Sequence, residues 1–447
     1  MLRVILTALT LTRAGDGLPV KSPTEVGMSS TRLNAIERVV ERGIKAGGYP
    51  GASVIVGRKG AAVFEKGFGK LSWSESSTAV DAQRTIYDIA SLSKVVGTTT
   101  AIMILYDENK IRLDDPVVNY IPTFGGGDKD KVTIRQLLTH TSGLPAGRDI
   151  WRIAQTPLEA RALVLNTPLE GRPGAQYIYS DLGADVLGLL IEVVAGEPLD
   201  KFLTRRVFEP LGMNETMYRP ADSLRYRIAP TEVTPPRGYP LRGEVHDENA
   251  YALGGVAGHA GLFSTAADLS VFAQMMLNGG EYNGVQIISK PTVELFTSRA
   301  FGHRALGWDT AEGDYGSGRY LGPTAYGHTG FTGTSMWIDP EREMFVILLT
   351  NRVHAARALR PAKVISDVRS DLSDAAVLSV LDGPKLTAGS KAFRADREVG
   401  WNPPPRASRR RHGSSKHHSI ASATSRSRAS AAKKSGTSKK KSTKKSH

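Results

Sequence analysis

The chain of 447 residues contains no cysteine, which excludes disulfide bonds, zinc sites built on thiolates and a cysteine nucleophile. No apolar run approaches the roughly 20 residues that a membrane-spanning helix needs. The sequence also lacks a His-Glu-x-x-His metal motif, a Gly-x-Ser-x-Gly turn, a phosphate-binding loop and a dinucleotide-binding fingerprint. We therefore expect no metal and no cofactor.

Acidic residues are missing from the C-terminal end. From Trp401 to His447 there are fourteen Lys and Arg and no Asp or Glu, so the formal charge of +14 belongs to this segment and the rest of the chain is neutral. This segment has few large apolar residues, so the burial of apolar surface could not offset the entropy that the chain would lose on ordering. We predict a linker and a disordered basic tail over residues 386–447. Electrostatics could hold this tail on an anionic polymer or membrane surface, or it could be a solubilising tail without a defined partner; no specific nucleic-acid site is expected.

Residues 1–23 form an N-terminal segment with a weak export-like pattern. Arg3 precedes the apolar run Val4–Leu11, as in a signal peptide, but a small-x-small cleavage site is missing. We expect export to the periplasm or cell envelope, with a cytoplasmic location left open. The sequence does not indicate an oligomeric state.

Hydrophobic periodicity predicts strands at both ends of the body, residues 24–385, and helices between them. The predicted hairpins pair Ala52–Val56 with Ala61–Phe64 and Thr334–Ile338 with Met344–Thr350. The predicted helices are Ser30–Lys45, Ser91 to about Glu108, Thr133–Leu138, Pro157–Leu165, Asp181–Val194, Thr265–Leu277 and Pro361–Leu381. This order predicts an α/β (α+β) fold, in which an antiparallel sheet flanked by helices carries an inserted all-helical domain.

A Ser-x-x-Lys pair, Ser91 and Lys94, opens one of these helices. Residues three apart are neighbours on a helix, so the hydroxyl and the amine share a face. The helix N-terminus adds N–H groups that favour the anionic forms of acyl transfer. Matches at Ser430, Ser438 and Ser442 are compositional, because they lie in a Ser/Lys-rich tail. By itself, Ser91 fits an ordinary N-cap serine equally well.

Two further motifs change this interpretation. Tyr179-Ser180-Asp181 precedes a predicted helix, and His328-Thr329-Gly330 enters the second hairpin. Together with Ser91 and Lys94, their order and separations resemble the three signatures of the serine β-lactamase and penicillin-binding protein superfamily, in the class C-like branch of β-lactamases, DD-carboxypeptidases and esterases. Accompanying stretches of the same resemblance are Leu113–Pro116, His140–Leu144 and Gly261–Thr265. The resemblance covers about residues 24–381.

The resemblance implies a β-lactamase/transpeptidase-like fold and a set of site residues. Ser91 would be the acylated nucleophile, and Lys94 and Tyr179 would share its proton, so that neither can be named as the single base. Backbone N–H groups of Ser91 and Phe331 would form the oxyanion hole. The implied substrate-binding residues are Asp181, His328, Thr329 and Gly330, and Gly330 is expected to let substrate approach the backbone closely.

Two positions depart from the commonest pattern of that family. Asp181 stands where Asn is usual, and an ionised carboxylate only accepts hydrogen bonds. We expect it to hold Lys94 charged and to disfavour efficient β-lactam turnover. His328 stands where Lys is usual, and an unperturbed imidazole loses its charge near pH 6.5. The affinity for carboxylate-bearing substrates is therefore expected to fall between pH 6 and 8.

Other histidines are interpreted as structural. His140 is expected to be a loop or packing residue, and Gly258–Gly261, which contains His259, a loop beside the pocket. His246, Asp247, Glu248 and His259 do not have the spacing of a metal site.

The sequence thus predicts a cofactor-free serine hydrolase that forms an acyl-enzyme on Ser91. Its substrate would be a D-Ala-D-Ala peptide, a β-lactam or a small ester, and the two departures favour a carboxypeptidase or an esterase. The alternative is a non-catalytic penicillin-binding-like module that its basic tail anchors to an anionic surface. The presence of both Ser91 and Lys94 argues against that alternative, because a dead homologue is expected to lose one of them.

Overall fold

A computed structural model describes residues 17–311, 316–354, 361–383, 386 and 393–402. The strands in these residues are β1 (Gly51–Arg58), β2 (Ala61–Gly69), β3 (Tyr87–Asp88), β4 (Met217–Tyr218), β5 (Leu262–Ser264), β6 (Glu281–Tyr282), β7 (Val285–Gln286), β8 (Asp309–Thr310), β9 (Tyr326–Thr329), β10 (Ser335–Asp339) and β11 (Met344–Thr350). The N-terminal apolar run and the predicted tail over residues 403–447 lie outside the described residues.

The α-helices in the same residues are α1 (Ser30–Leu33), α2 (Ala35–Lys45), α3 (Thr100–Asp107), α4 (Ile134–Leu138), α5 (Pro157–Leu165), α6 (Asp181–Ala195), α7 (Leu199–Leu203), α8 (Glu209–Leu211), α9 (Glu248–Ala252), α10 (Ala266–Leu277), α11 (Lys290–Thr297), α12 (Ala362–Leu378) and α13 (Arg394–Arg397). Short 3-10 turns cover Pro23–Val26, Val117–Asn119, Pro122–Phe124, Gly127–Lys131, Ile150–Arg152, Asp222–Arg227 and Pro340–Arg342, and π turns cover Lys94–Thr99 and Thr204–Phe208. No helix in the described part of the chain combines the length and apolar character needed to cross a membrane.

The main sheet has the strand order β2-β1-β11-β10-β9-β8 and its neighbours are antiparallel. Both predicted hairpins are present, and they meet where β1 pairs with β11. The two ends of the body therefore share one sheet, and the segment between β2 and β8, residues 70–308, is inserted between them. This segment contains α3–α11 and also the small sheets β3-β5-β4 and β6-β7, so it is not all-helical as predicted. The predicted antiparallel sheet flanked by helices is confirmed.

The central strand β11 shows why both faces of the sheet are covered. Side chains alternate between the two faces of a strand, and every residue of β11 is buried. Met344, Val346 and Leu348 belong to one apolar cluster, together with residues of α2 and α12. Phe345, Ile347 and Leu349 belong to a second cluster, with residues of α3, α6 and α10. A strand that is apolar at every position requires this two-sided cover.

The helix that follows Ser91 lies at the centre of the second cluster. From Leu92 to Leu105 every residue is buried, including Lys94 and the polar residues Thr98–Thr100. Its start is fixed by a hydrogen bond from the backbone N–H of Ile89 to the carbonyl of Leu262 at 3.0 Å. Buried packing along the whole helix holds Ser91 and Lys94 in a defined place.

The folded body extends beyond the predicted limits of residues 24 and 385. At the start, Leu18 is buried and the N–H of Lys21 donates to the carbonyl of Ala62 at 3.0 Å. At the end, Trp401 is buried and its Nε1 donates to Asp367 Oδ2 of α12 at 2.9 Å. The prediction that residues 386–447 are all linker and tail is therefore wrong for residues 393–402, because a tryptophan near the basic segment packs on the body.

Candidate active site

The turn before the central helix presents Ser91. Ala90 has a positive φ of 49°, and its N–H donates to Asp88 Oδ1 at 2.9 Å. The N–H of Lys94 donates to the carbonyl of Ser91 at 3.1 Å, so the two residues lie one turn apart. Lys94 Nζ donates to Ser91 Oγ at 3.0 Å. The sequence motif is therefore present as a direct contact between hydroxyl and amine.

Lys94 is buried and has two further partners. Its Nζ donates to the carbonyl of His259 at 3.0 Å and forms an ion pair with Asp181 Oδ1 at 2.7 Å. Burial disfavours the ammonium, but the Asp181 carboxylate and Tyr179 more than offset this and raise the pKa of Lys94 above its usual value. Lys94 is therefore an ammonium at neutral pH, and Asp181 holds it charged, as the sequence predicted.

Tyr179 lies beside this ion pair. Lys94 Nζ is 5.0 Å from the centre of its ring, and the guanidinium carbon of Arg304 is 6.0 Å from it. The phenolic oxygen is buried and makes no hydrogen bond to any residue that the structure describes. Two cations thus lie near the ring of Tyr179.

His140 fixes the backbone on both sides of Tyr179. Its carbonyl accepts the N–H of Ile178 at 2.9 Å, and its Nδ1 accepts the N–H of Ser180 at 3.1 Å. Burial, followed by the charges of Arg304 and Lys94, lowers the pKa of His140 well below its usual value, so the ring is neutral. The structural role predicted for His140 is confirmed.

His259, which contacts Lys94 through its carbonyl, forms a second group of buried charges with two carboxylates. His259 Nδ1 lies 2.7 Å from Asp185 Oδ1, and its Nε2 lies 2.9 Å from Asp247 Oδ1. Burial alone would lower the pKa of His259, but these two carboxylates raise it well above its usual value. His259 is therefore an imidazolium, and its carbonyl is the one that accepts Lys94 Nζ.

Sequence reasoning missed Asp185 and Asp247. Asp185 follows Asp181 by four residues on α6, so both carboxylates point from the same helix face towards the site. This four-residue spacing could have predicted from the sequence that Asp185 lies at the site. No such local pattern joins Asp247 to His259, because Asp247 caps α9 and reaches His259 only through the tertiary fold.

His246, in the same part of the site, contacts two carboxylates. His246 Nε2 lies 2.8 Å from Glu232 Oε1, and the N–H of His246 donates to Asp88 Oδ2 at 2.7 Å. Across the described residues, no three His, Asp or Glu side chains are grouped so as to hold a metal ion.

His328 does not behave as the sequence predicted. Its side chain is buried and is absent from the residues that line the cleft beside Ser91. Burial and the nearby cations Arg304 and Lys94 outweigh Asp309, and lower the pKa of His328 to about 4. The imidazole is therefore already neutral at pH 6, so the structure gives no reason to expect a fall in carboxylate affinity between pH 6 and 8.

Contacts within the protein, and not only the expected approach of substrate, require a glycine at position 330. A Cβ on Gly330 would lie 2.1 Å from Thr334 Oγ1 and 2.5 Å from the carbonyl oxygen of Ile89. The close approach that requires glycine is therefore made by the Thr334 side chain and the Ile89 backbone. Thr334 Oγ1 donates to the same carbonyl of Ile89 at 2.9 Å, which ties the residue before β10 to the turn of Ser91. Thr329 is half-buried at the end of β9.

These groups surround a cleft of about 320 Å³. Its lining includes Ser91, Tyr179, Asp181 and Phe331, together with residues 246–248 from the opposite wall. Phe331 is about half exposed and lies on the same cleft as Ser91, where the expected oxyanion hole would be. Ser91, Tyr179 and Asp181 thus line one cleft, and Lys94 contacts both Ser91 and Asp181. His328 is not among the residues that line this cleft.

Comparisons with known proteins agree with this geometry. The family model "Beta-lactamase" matches residues 36–368. A protein of Escherichia coli (strain K12) named "Putative D-alanyl-D-alanine carboxypeptidase" is 33% identical over 397 residues, covering 79% of this chain and 91% of that protein.

Two solved structures have a similar fold. The octameric penicillin-binding protein homologue from Pyrococcus abyssi has a TM-score of 0.59 and 25% identity, over 71% of this chain and 73% of that one. A class C β-lactamase has a TM-score of 0.64 and 17% identity, over 80% of this chain and 98% of that one. The latter likeness concerns the fold alone. With a matching family model over most of the chain and a serine–lysine contact in the expected place, this chain belongs to the β-lactamase family.

Proposed function

We propose that this chain is a D-alanyl-D-alanine carboxypeptidase that works through an acyl-enzyme on Ser91. The contact that carries the proposal is the 3.0 Å hydrogen bond from Lys94 Nζ to Ser91 Oγ, made by an ammonium that Asp181 fixes at 2.7 Å. A serine held against a fixed cation can develop negative charge on its oxygen at low cost. The name of the Escherichia coli relative supports the choice of substrate.

The charge of Lys94 assigns the proton transfers. An ammonium cannot accept the proton of Ser91, so Lys94 donates to the oxygen while another group takes the proton. Tyr179 is that group, because it lines the cleft with Ser91 and two cations lie near its ring. Lys94 then acts as an electrostatic stabiliser of the nucleophile.

The reaction proceeds in two balanced steps. Ser91 Oγ bonds to the carbonyl carbon of the penultimate D-Ala, and its proton passes through Tyr179 to the nitrogen of the terminal D-Ala as the C–N bond breaks. Water then attacks the ester carbonyl, its proton returns to Ser91 Oγ, and the shortened peptide leaves as a carboxylate. The backbone N–H groups of Ser91 and Phe331 would bind the oxyanion in both steps.

Intact-mass spectrometry tests the acyl-enzyme. Wild-type protein is incubated with a penicillin and, separately, with an activated ester, and Ser91→Ala serves as the control. We expect the mass of one acyl group on the wild type and none on the variant. Reversible binding without any adduct would instead support a non-catalytic penicillin-binding module.

Rates on three substrate classes then test the choice of substrate. We expect kcat/KM to be largest for a peptide ending in D-Ala-D-Ala, and β-lactam turnover to be slow because Asp181 cannot donate to the β-lactam amide carbonyl. Asp181→Asn restores a donor of the same size and should raise β-lactam turnover relative to peptide hydrolysis. A wild-type preference for esters, with no peptide cleavage, would assign the site to an esterase.

A further inference from the structure

A second cavity of about 580 Å³ lies next to the catalytic cleft. The two share residues 244–252 as a wall. Glu244, Val245 and Tyr251 line the second cavity, whereas residues 246–248 line the cleft. Val245 and His246 are consecutive, so one segment of the chain, which includes α9, lies between the two spaces. An extended substrate that leaves the cleft over this segment would enter the second cavity.

Three arginines and two carboxylates line the second cavity, which we call the arginine pocket. The arginines are Arg219, Arg225 and Arg242, and the carboxylates are Asp222 and Glu244. Arg219 is paired with Asp200 at 2.5 Å, and Arg225 approaches only the highly exposed Asp222, at 3.7 Å. The third cation of this pocket pairs with neither Asp200 nor Asp222.

Arg242 is that cation. It is half-buried, and its Nε and Nη2 donate to the carbonyls of Ile228 and Tyr226, both at 2.8 Å. It forms no ion pair with any carboxylate in the described part of the chain. Burial, followed by the charge of Arg225, lowers the pKa of Arg242 from its usual value. Two neighbouring cations, one held only by neutral carbonyls, attract an anion.

Aromatic side chains give the pocket flat contact surfaces. Trp151, Tyr239 and Tyr251 line it, and the last two are 48% and 39% exposed. Tyr239 is oriented by its hydroxyl, which lies 3.0 Å from Glu244 Oε2. Partly exposed aromatic rings with a few fixed polar groups are typical of sites that hold an extended ligand.

We propose that the arginine pocket binds side-chain carboxylates of an acidic peptide whose C-terminal end occupies the catalytic cleft. Arg242, with Arg225 beside it, would then determine specificity for acidic residues upstream of the bond that is cleaved. This inference rests on the proposed function, because it assigns the distal part of the same substrate. It predicts that a charged residue of the peptide affects kcat/KM even though it lies away from the reacting atoms.

A charge-swap experiment tests this pairing. Two synthetic peptides end in D-Ala-D-Ala and differ only in a glutamate or a glutamine upstream. Full-length wild type, Arg242→Gln and the control Arg38→Gln, an exposed arginine of α2, are compared on both. We expect Arg242→Gln to lower kcat/KM about tenfold for the glutamate peptide and less than twofold for the glutamine peptide. The basic tail is present in every variant, so its attraction for acidic peptides cancels.

Binding to the Ser91→Ala variant separates this proposal from the catalytic one. Isothermal titration calorimetry should give about tenfold tighter binding of the glutamate peptide, and this advantage should vanish when Arg242→Gln is added. If neither peptide is hydrolysed but the advantage is present, the proposed function fails and the pocket assignment stands. Equal binding of the two peptides, or an equal effect of Arg242→Gln on both, would overturn the pocket assignment.

Discussion

His259 contacts Lys94 and His328 contacts Tyr179; the two histidines are equally buried and carry different charges. His259 lies between Asp185 at 2.7 Å and Asp247 at 2.9 Å, and its pKa is raised well above the usual value. The nearest carboxylate to His328 is Asp309 at 3.9 Å, and its pKa is lowered to about 4. One ring is an imidazolium at neutral pH and the other is neutral.

The difference shows that burial does not decide charge at this site; the placement of carboxylates does. Helix α6 brings two carboxylates to the floor of the cleft, one for Lys94 and one for His259. Strand β9 instead places His328 near the cations Lys94 and Arg304, which disfavour a further positive charge. The carboxylates of α6 therefore form ion pairs at the site, whereas His328 of β9 packs there without a charge.

Removal of Asp185 should produce the largest effect. Asp185→Asn leaves the buried imidazolium of His259 with one carboxylate, and breaking a buried ion pair from one side costs about 3–5 kcal/mol. We expect the free energy of unfolding, measured in urea at pH 7, to fall by that amount. Asp222→Asn is the matched control, because its side chain is 93% exposed and the change should stay within about 0.5 kcal/mol. Similar losses in both variants would mean that the ion pair does not stabilise the fold.

The acid side of the stability curve tests His328. Below its ordinary pKa of about 6.5 the unfolded chain binds a proton at this position, but the folded chain does not until about pH 4. The free energy of unfolding should therefore fall with decreasing pH, by about 3 kcal/mol between pH 6.5 and 4 from this group alone. His328→Gln cannot titrate and should lose that part of the slope. Parallel curves for the two proteins would contradict the lowered pKa.

The smallest effect concerns substrate binding near neutral pH. Because His328 is neutral throughout this range, the KM of a peptide with a free C-terminal carboxylate, relative to its amide, should be flat from pH 6 to 8. His328→Gln should give the same flat ratio. A ratio that rises with pH in the wild type alone would restore His328 as a cationic carboxylate-binding residue.

Local sequence patterns predicted the parts of the site that local structure determines. Ser91 and Lys94 share a helix face because they are three residues apart, and Asp181 stands at the start of α6 because Ser180 caps that helix by accepting the N–H of Gly183 at 3.1 Å. The two hairpins and the order of strands and helices followed from alternation and helical periodicity. In each case the deciding contacts lie within a few residues.

The revised expectations for His328 and Gly330 share one cause. Each depends on a residue that is distant in the sequence: the Lys94 ammonium near His328 and the carbonyl of Ile89 against Gly330. A pKa depends on burial and on nearby charges, and a steric requirement depends on which backbone is adjacent. Neither quantity can be obtained from a motif of three residues.

By itself, the sequence indicated the family through the resemblance of its three motifs. It also determined the sheet interrupted by helices and a serine–lysine pair on one helix face, because short-range periodicity and spacing encode these two features. Only the tertiary structure decided which groups near that pair carry charge: Lys94 and His259 are cations, and His140 and His328 are neutral. The physical reason is that ionisation depends on the three-dimensional distances to other charges and to water, and these distances exist only after the chain has folded.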